Sequence, residues 1–168
     1  MKIALLGYGR MGKAIENIAV ERGHTIVAKI DKDNENESYM ADVAINFSVP
    51  RAAYKNISDA LERGIPVICG TTGWLDRFGE IESLCREKDG AFIYASNFSL
   101  GVNLFFELNK KLATMMEKYT HYDVSIEEIH HTKKIDKPSG TAITLAEGAS
   151  PDQKWHLKED QSEGIPIS

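Results

Sequence analysis

A short polar segment, residues 130–141, carries the side chains of this chain that are best suited to chemistry. It contains the adjacent His130 and His131 together with three lysines. Imidazoles exchange protons near neutral pH, and ammonium groups attract anions. Ser139-Gly140-Thr141 leads from this segment into an apolar helical stretch, whose first amides would point at a bound carboxylate. The residue types therefore predict a loop that binds a dianion and protonates it, with a solvated basic loop as the alternative.

The two histidines end a stretch that has the alternation of a β-strand. From Tyr122 to His131, the side chains divide into two sets with a period of two residues. A regular strand would point His130 and His131 to opposite faces, so we expect the two imidazoles to have different roles. His130 would share a face with Val124 and Ile126, which leaves a buried core histidine as the alternative to a proton donor.

The N-terminal residues carry a glycine pattern in the context that dinucleotide binding requires. An apolar strand runs into Gly7-Tyr8-Gly9-Arg10-Met11-Gly12, and a helical stretch follows. Gly7 allows the tight turn, Gly9 lets a pyrophosphate approach the backbone, and Gly12 lets helix and strand pack closely. A turn that only needs glycines is the alternative, but strand, glycines and helix occur here in the required order.

An acidic residue follows at the position expected for ribose recognition. Asp31 closes the second predicted strand, 19 positions after Gly12, where a carboxylate would accept hydrogen bonds from adenosine ribose hydroxyls. Its charge would repel a 2′-phosphate and so favours NADH, but the adjacent Lys32 would neutralise that phosphate. The sequence thus predicts a nicotinamide dinucleotide and leaves NADH and NADPH both open.

Strands and helices alternate after this acidic residue. Short apolar strands are predicted at 43–46, 67–69 and 92–94, with helices at 51–63 and 76–88 between them. Such alternation is typical of a parallel sheet buried on both faces by helices, the doubly wound Rossmann class of α/β fold.

Ligands of such sheets gather at the carboxyl ends of the strands, where this sequence has small polar loops. Asn46-Phe47-Ser48, Gly70-Thr71-Thr72-Gly73 and Ala95-Ser96-Asn97-Phe98-Ser99 each follow a predicted strand. Their backbone amides, hydroxyls and carboxamide are suited to contact a nicotinamide or a ribose. Turn chemistry alone explains any one of these loops, but three at one edge favour a site.

The C-terminal part is predicted to form a second, incomplete α+β domain. A helix is expected from 104 to 118, and the polar tail beyond residue 149 offers the 122–131 strand little to pair with. We therefore expect residues 1–103 to form the dinucleotide-binding domain and residues 104–168 to form part of a domain for substrate binding and oligomerisation.

Composition narrows the classes of partner. The chain has 20 Lys and Arg against 25 Asp and Glu, a net charge of −5, which disfavours general binding to nucleic acid or to an anionic membrane. It has no membrane-length apolar run and no signal-peptide pattern, so we expect a cytoplasmic location. Cys69 and Cys85 lack a C-x-x-C pattern, and we expect reduced cysteines and no metal site.

The histidine-lysine segment resembles a family signature. Residues 128–142 resemble the pattern E-x-H-H-x-x-K-x-D-x-P-S-G-T-A of the dihydrodipicolinate reductase family, and the likeness extends through Gly9–Gly12, Gly70–Gly73 and Asn97–Asn103. The resemblance implies a Rossmann domain and a mixed α/β substrate domain whose sheet builds a homotetramer. It also implies reduction of a cyclic imine by NADH or NADPH in the diaminopimelate route to lysine.

The resemblance assigns roles to matching positions. The proton donor of the family falls on His130, its catalytic lysine on Lys134, and its contacts to a dicarboxylate substrate on His131, Gly140 and Thr141. In this interpretation the nicotinamide reduces the substrate ring, Lys134 stabilises the resulting negative charge, and His130 or Lys134 delivers the proton. Together with Gly12 and Lys32 from the patterns above, the candidate cofactor contacts are Gly7, Gly9, Arg10, Met11, Asp31, Gly70, Thr71, Thr72, Ala95, Ser96, Asn97 and Phe98.

Two departures from the family pattern affect these expectations. The glycine loop is one residue shorter than the usual form of the family, and family members continue beyond the equivalent of Ser168. We therefore expect retained cofactor affinity with weak or no turnover and impaired tetramer formation.

Two other functions are consistent with parts of the sequence. One is another two-domain nicotinamide oxidoreductase of amino-acid metabolism, such as a semialdehyde or homoserine dehydrogenase, and the other is a regulatory module that binds NAD(H) without catalysis. A semialdehyde dehydrogenase needs an activated cysteine, for which neither Cys69 nor Cys85 has a suitable sequence context. A sensor has no need of the proton donors in the 130–141 segment.

Overall fold

The computed structural model consists of two compact units, residues 1–96 and residues 97–168. The helix Leu100–Met116 lies wholly in the second unit, while the predicted functional boundary after residue 103 stays a prediction. The residues that the structure describes are 1–34, 36–130, 137–150, 152–160 and 163–168.

The first unit is built on one parallel sheet. Its strands are β1 (Lys2–Leu6), β2 (Thr25–Ile30), β3 (Val43–Asn46), β4 (Val67–Cys69) and β5 (Phe92–Tyr94). They lie in the order β2-β1-β3-β4-β5, and each neighbouring pair is parallel. The predicted doubly wound α/β class is confirmed. The helices of this unit are α1 (Arg10–Glu21), α2 (Pro50–Glu62) and α3 (Phe78–Glu87), with a 3₁₀ turn at Leu75–Arg77.

Both faces of the sheet are covered, as the apolar run of β1 requires. Ile3 and Leu5 pack against α1, whereas Ala4 and Leu6 pack on the opposite face with residues of α2 and α3. Alternate residues of a strand point to opposite faces, and all four side chains are buried because helices cover both faces. An uninterrupted apolar run is the pattern of a strand with a helical layer on each side.

The strand order creates a crevice at one edge of this sheet. The chain leaves β1 to form α1 and β2, then crosses to the other side of β1 to form β3. The loops after β1 and β3 therefore lead to helices on opposite faces, and they diverge at the carboxyl ends of these strands. This is the switch point at which doubly wound sheets bind ligands.

The described residues of the second unit form two helices and a small strand pair. Ser99 caps α4 by accepting a hydrogen bond from Val102 N at 3.4 Å, so the helix begins four residues before its predicted start. The apolar core of this unit combines α5 with the strand pair, and Ile165 and Ile167 are both buried there. The elements are α4 (Leu100–Met116), α5 (Gly140–Ala149), β6 (Trp155–Leu157), a 3₁₀ turn at Lys158–Asp160 and β7 (Ile165–Ile167).

The prediction of a regular strand from residue 122 is wrong for the part that the structure describes, up to residue 130. Only Ile126 forms a bridge there, parallel to Ile167. Ile126 N donates to Pro166 O, Glu128 N donates to Ser168 O, and Ser168 N donates to Ile126 O, each at 3.0 Å. The tail does supply a partner, because burial of its isoleucines against α5 brings its backbone beside residues 126–128.

Across the described ranges, no helix combines the length and the apolar character needed to cross a membrane.

Candidate functional site

The three glycines of the first loop have different structural environments. Gly7 has a φ of +96°, and a Cβ there would lie 2.3 Å from the carbonyl oxygen of Phe47. A Cβ on Gly12 would lie 2.4 Å from the carbonyl oxygen of Gly7, whereas a Cβ on Gly9 would meet no atom within 4 Å. The fold itself thus requires glycine at 7 and 12. The open space beside Gly9 fits a group that approaches the backbone from outside, as a pyrophosphate does.

A cavity of about 380 Å³ opens beside this loop at the switch point. It contains an exposed carboxylate, Asp31, and two cations, Lys32 and Arg51. A site with both charges offers hydrogen-bond acceptors for ribose hydroxyls and positive charge for phosphate. We call it the first cavity, and its lining residues are Gly7, Tyr8, Gly9, Ile30, Asp31, Lys32, Phe47, Ser48, Val49, Arg51, Ala52 and Asn56.

A second cavity of about 330 Å³ shares Phe47 and Ser48 with the first. The Phe47-Ser48 loop therefore lies between two adjoining spaces, one at the ends of β1 and β2 and one at the end of β4. Two adjoining spaces suit a ligand with two halves, such as a dinucleotide. The residues of the second cavity are Arg10, Met11, Phe47, Ser48, Pro50, Gly70, Thr71 and Thr72.

The turn after β2 holds Asp31 in place through its backbone. Asp31 N donates to the side-chain oxygen of Asn34 at 2.8 Å, and Lys32 N donates to Asp31 Oδ1 at 2.8 Å. The Asn34 amide also donates to the carbonyl of Lys29 at 3.0 Å. Asn34 therefore fixes the turn that presents Asp31 to the first cavity, a role that no sequence pattern indicated.

Tyr8, between the first two glycines, also lines the first cavity and was not predicted. Its hydroxyl donates to the Glu16 carboxylate, and the Lys29 ammonium lies 4.8 Å from its ring centroid. Lys29 Nζ is 2.6 Å from Glu16 Oε1, and this hydrogen bond is the largest cause that lowers the pKa of Glu16. Tyr8 is therefore anchored at the wall of the first cavity by a charged pair.

A buried polar cluster joins the loops that line both cavities. Asn46 is fully buried, and its Nδ2 donates to Thr71 Oγ1 at 3.2 Å and to Cys69 Sγ at 3.3 Å. Asn56 Nδ2 donates to Asn46 Oδ1 at 3.2 Å, and Ser48 N donates to Thr71 Oγ1 at 2.8 Å. We call Asn46, Asn56 and Thr71 the amide cluster. It ties the loop after β3 to the loop after β4 and so holds the two cavities side by side.

Cys69 has a structural environment rather than a reactive one. Burial raises the pKa of its thiol more than the hydrogen bonds from Asn46 and Thr71 lower it. A thiol held in its neutral form is a poor nucleophile. This agrees with the sequence-based argument against a semialdehyde dehydrogenase.

The second unit presents His130 at the surface, with its side chain 37% exposed. The alternative of a core histidine is therefore wrong, because the residue does not enter the apolar cluster around α5. His130 Nε2 lies 2.8 Å from Glu128 Oε2. Glu128 Oε1 accepts a hydrogen bond from Ser139 N at 2.8 Å, so one carboxylate contacts both ends of the 130–139 segment.

Ser139 caps the N-terminus of the helix that the sequence predicted after this segment. Its buried hydroxyl accepts a hydrogen bond from Ala142 N at 3.0 Å, the usual contact of an N-terminal cap. Gly140 and Thr141 form the first turn of α5, and a Cβ on Gly140 would meet no atom of the described residues within 4 Å. As far as the described residues show, the start of α5 is open on the side of Gly140.

Some predicted residues are not brought to these cavities. Ala95 and Ser96 follow β5 in the first unit, while Asn97 and Phe98 begin the second, and all four lie outside both cavity linings. The predicted roles of His131 and Lys134 fall outside the described residues. Gly12 lies buried beneath the loop.

Within the described residues, no group of three His, Cys, Asp or Glu side chains is arranged to hold a metal ion.

Comparisons with known proteins point to one family across the chain. A family model described as dihydrodipicolinate reductase, N-terminus, matches residues 33–98, and one described as dihydrodipicolinate reductase, C-terminus, matches residues 101–168. A curated 4-hydroxy-tetrahydrodipicolinate reductase of Christiangramia forsetii is 56% identical over 99% of this chain and 73% of that protein. One from Thermosipho africanus is 36% identical over 93% of this chain and 70% of that protein.

A solved structure shares the fold. Dihydrodipicolinate reductase from Paenisporosarcina sp. TG-14, solved with bound dipicolinate, superposes with a TM-score of 0.66 at 23% sequence identity. The match covers 99% of this chain and 77% of that chain.

Proposed function

Because this chain belongs to the dihydrodipicolinate reductase family, we propose that it reduces dihydrodipicolinate, formed from 4-hydroxy-tetrahydrodipicolinate, to tetrahydrodipicolinate with NADH or NADPH. This reaction belongs to the diaminopimelate route to lysine. The observation that carries the proposal is the 56% identity to a curated reductase over 99% of the chain. The open backbone at Gly9, next to a cavity that holds Asp31, supports the cofactor half of the reaction.

The first unit has the residues to hold the cofactor. We assign the pyrophosphate to the space beside Gly9 and the adenosine ribose to Asp31. Lys32 and Arg51 are assigned to the 2′-phosphate that NADPH carries on this ribose. The nicotinamide half is assigned to the second cavity, with Gly70, Thr71 and Thr72, while the contacts predicted for residues 95–98 stay a prediction. When bound, the reduced nicotinamide supplies a hydride. The amide cluster keeps the surrounding loops in place.

We assign substrate binding and protonation to the second unit. We assign the proton donor to His130, with Lys134 as the cation that stabilises negative charge on the reduced ring. The substrate carboxylates are assigned to His131, Lys134 and the backbone amides of Gly140 and Thr141, since a helix start attracts anions. The capped start of α5 and the exposed imidazole of His130 support this assignment.

We also propose a cytoplasmic location and a homotetramer, with the impaired tetramer formation expected from the sequence as the alternative outcome. The supporting feature is a stripe of exposed apolar side chains on α4, which a second apolar surface would cover. The two described cysteines are both free, as expected in a reducing compartment. The mass in solution from light scattering, and cell fractionation, test these two points. The exposed stripe consists of Leu100, Leu104, Phe105, Leu108, Leu112 and Met115.

A coupled assay tests the reaction. The substrate is generated in place by the preceding synthase reaction, and oxidation of NADH or NADPH is followed by absorbance. Cofactor binding is measured separately by calorimetry, with and without dipicolinate, a planar dicarboxylate that the structural relative from Paenisporosarcina binds. Turnover with either cofactor supports the proposal. Cofactor binding without turnover is also the outcome expected from the departures from the family pattern, so dipicolinate binding then decides. A chain that binds cofactor but neither turns over nor binds dipicolinate would favour the regulatory module.

A further inference from the structure

We propose that Glu128 is a positioning residue, which orients His130 for proton transfer and ties it to the start of α5. This inference rests on the proposed function for the role of His130. It does not depend on the cofactor, because the contacts that carry it lie between described residues of the second unit.

The geometry of Glu128 carries the proposal. Its Oε2 lies 2.8 Å from His130 Nε2, and its Oε1 accepts from Ser139 N at 2.8 Å. Its backbone N donates to Ser168 O at 3.0 Å, which attaches the residue to the end of β7. One side chain therefore joins the segment that carries the imidazole to the cap of the helix that carries Gly140 and Thr141. Both stems of the predicted substrate loop meet at this carboxylate.

Burial and charge favour the ionised carboxylate. The Glu128 side chain is 13% exposed, and burial of this degree pushes its pKa upward. The hydrogen bonds from Ser139 and His130 together outweigh that push and hold the pKa of Glu128 below its ordinary value. An ionised carboxylate only accepts hydrogen bonds, so both partners must donate to it.

This requirement determines which nitrogen of His130 bears the fixed proton. Because Glu128 accepts, Nε2 must carry a hydrogen, and Nδ1 is left as the atom that takes up and releases a proton. A carboxylate that holds one imidazole nitrogen in this way sets the tautomer and the direction of the ring. In this arrangement the proton that reaches the substrate leaves from Nδ1.

A glutamine at position 128 tests the idea, because the amide keeps the shape but has one donating and one accepting end. It can satisfy Ser139 N or His130 Nε2–H, but not both at once. For Glu128→Gln we expect kcat to fall at least tenfold, on the scale seen for residues that orient a functional imidazole, with less than threefold change in KM. NADH affinity should stay within twofold of wild type. Glu127→Gln, an exposed neighbour with the same change of charge, is the control and should keep wild-type kcat.

A second readout does not depend on turnover. Nitrogen NMR of the imidazoles reports the tautomer, and the His130 signal is assigned from its loss in His130→Asn. Wild-type protein should show the Nε2–H form of neutral His130, and Glu128→Gln should lose that preference. If wild type neither turns over nor binds dipicolinate but this tautomer shift occurs, the proposed function fails and the positioning role stands. Unchanged kcat and an unchanged His130 spectrum in Glu128→Gln would overturn the positioning role. If the variant does not fold, a wild-type spectrum dominated by the Nδ1–H form overturns it.

Discussion

Replacing the three loop glycines one at a time should separate packing from cofactor binding. Gly12→Ala places a methyl group 2.4 Å from the carbonyl oxygen of Gly7, so helix α1 or strand β1 must shift. Such overpacking costs about 1–3 kcal/mol of unfolding free energy. Gly9→Ala meets no atom within 4 Å and changes only the N-terminal cap of α1, which costs at most about 1 kcal/mol.

Cofactor affinity should respond differently at the same position. If a pyrophosphate approaches the backbone at Gly9, a methyl group there occupies the space it needs. We expect Kd for NADH to rise at least tenfold in Gly9→Ala, equivalent to about 1.4 kcal/mol. Gly79→Ala is the matched control, since Gly79 is exposed in α3 and a Cβ there also meets no atom within 4 Å. It should leave Kd unchanged and stabilise the protein by up to about 1 kcal/mol.

Urea unfolding and calorimetric titration with NADH measure the two quantities on the same preparations. We expect Gly9→Ala to have near-normal stability and weak NADH binding, and Gly12→Ala to have reduced stability. Wild-type affinity in Gly9→Ala would refute the placement of the pyrophosphate. A fully stable Gly12→Ala would show that the close contact between Gly12 and Gly7 does not constrain the fold.

Four further outcomes are expected. Asn46→Leu should lower the unfolding free energy by about 2–4 kcal/mol, because it leaves the buried amide of Asn56 without its acceptor. The double variant with Asn56→Leu should lose less unfolding free energy than the two single variants lose together. Losses from urea unfolding that simply add would contradict this. Arg51→Ala should raise Kd for NADPH more than Kd for NADH, since only NADPH has the extra phosphate; equal calorimetric losses would remove Arg51 from phosphate binding. Folding lowers the pKa of Glu128, so the ionised carboxylate stabilises the protein at pH values above 4.5, its ordinary pKa, and this contribution is lost as the pH falls further. The difference in unfolding free energy between wild type and Glu128→Gln should therefore shrink below pH 4.5. A difference that does not change with pH would contradict the lowered pKa. Lys134→Ala should lower turnover far more than NADH affinity, and equal losses would place Lys134 outside the chemistry.

Local pattern was enough to predict much of the first unit. The apolar run of β1 predicted burial on both faces, and Ile3, Ala4, Leu5 and Leu6 are all buried. Strands β3, β4 and β5 begin and end where the sequence predicted, because short apolar runs between turn residues leave few alternatives. The glycine spacing predicted a loop in which Gly7 and Gly12 are required by close backbone contacts.

Contacts between residues far apart in sequence were not predictable in this way. Asn46 and Thr71 are 25 residues apart, and nothing in either local pattern shows that one hydrogen-bonds to the other. The same holds for Glu128 and Ser139, and for the pairing of Ile126 with Ile167. Each contact depends on how two elements pack, which local periodicity does not encode.

The amino-acid sequence by itself determined the fold class, the glycine loop and the residue types available for proton transfer, since each follows from local spacing and side-chain chemistry. Only the tertiary structure decided that His130 is exposed and paired with Glu128, and that the loops lining the two cavities are joined by the amide cluster. Burial and hydrogen-bond partners are properties of packed elements, so they exist only once distant segments of the chain have come together.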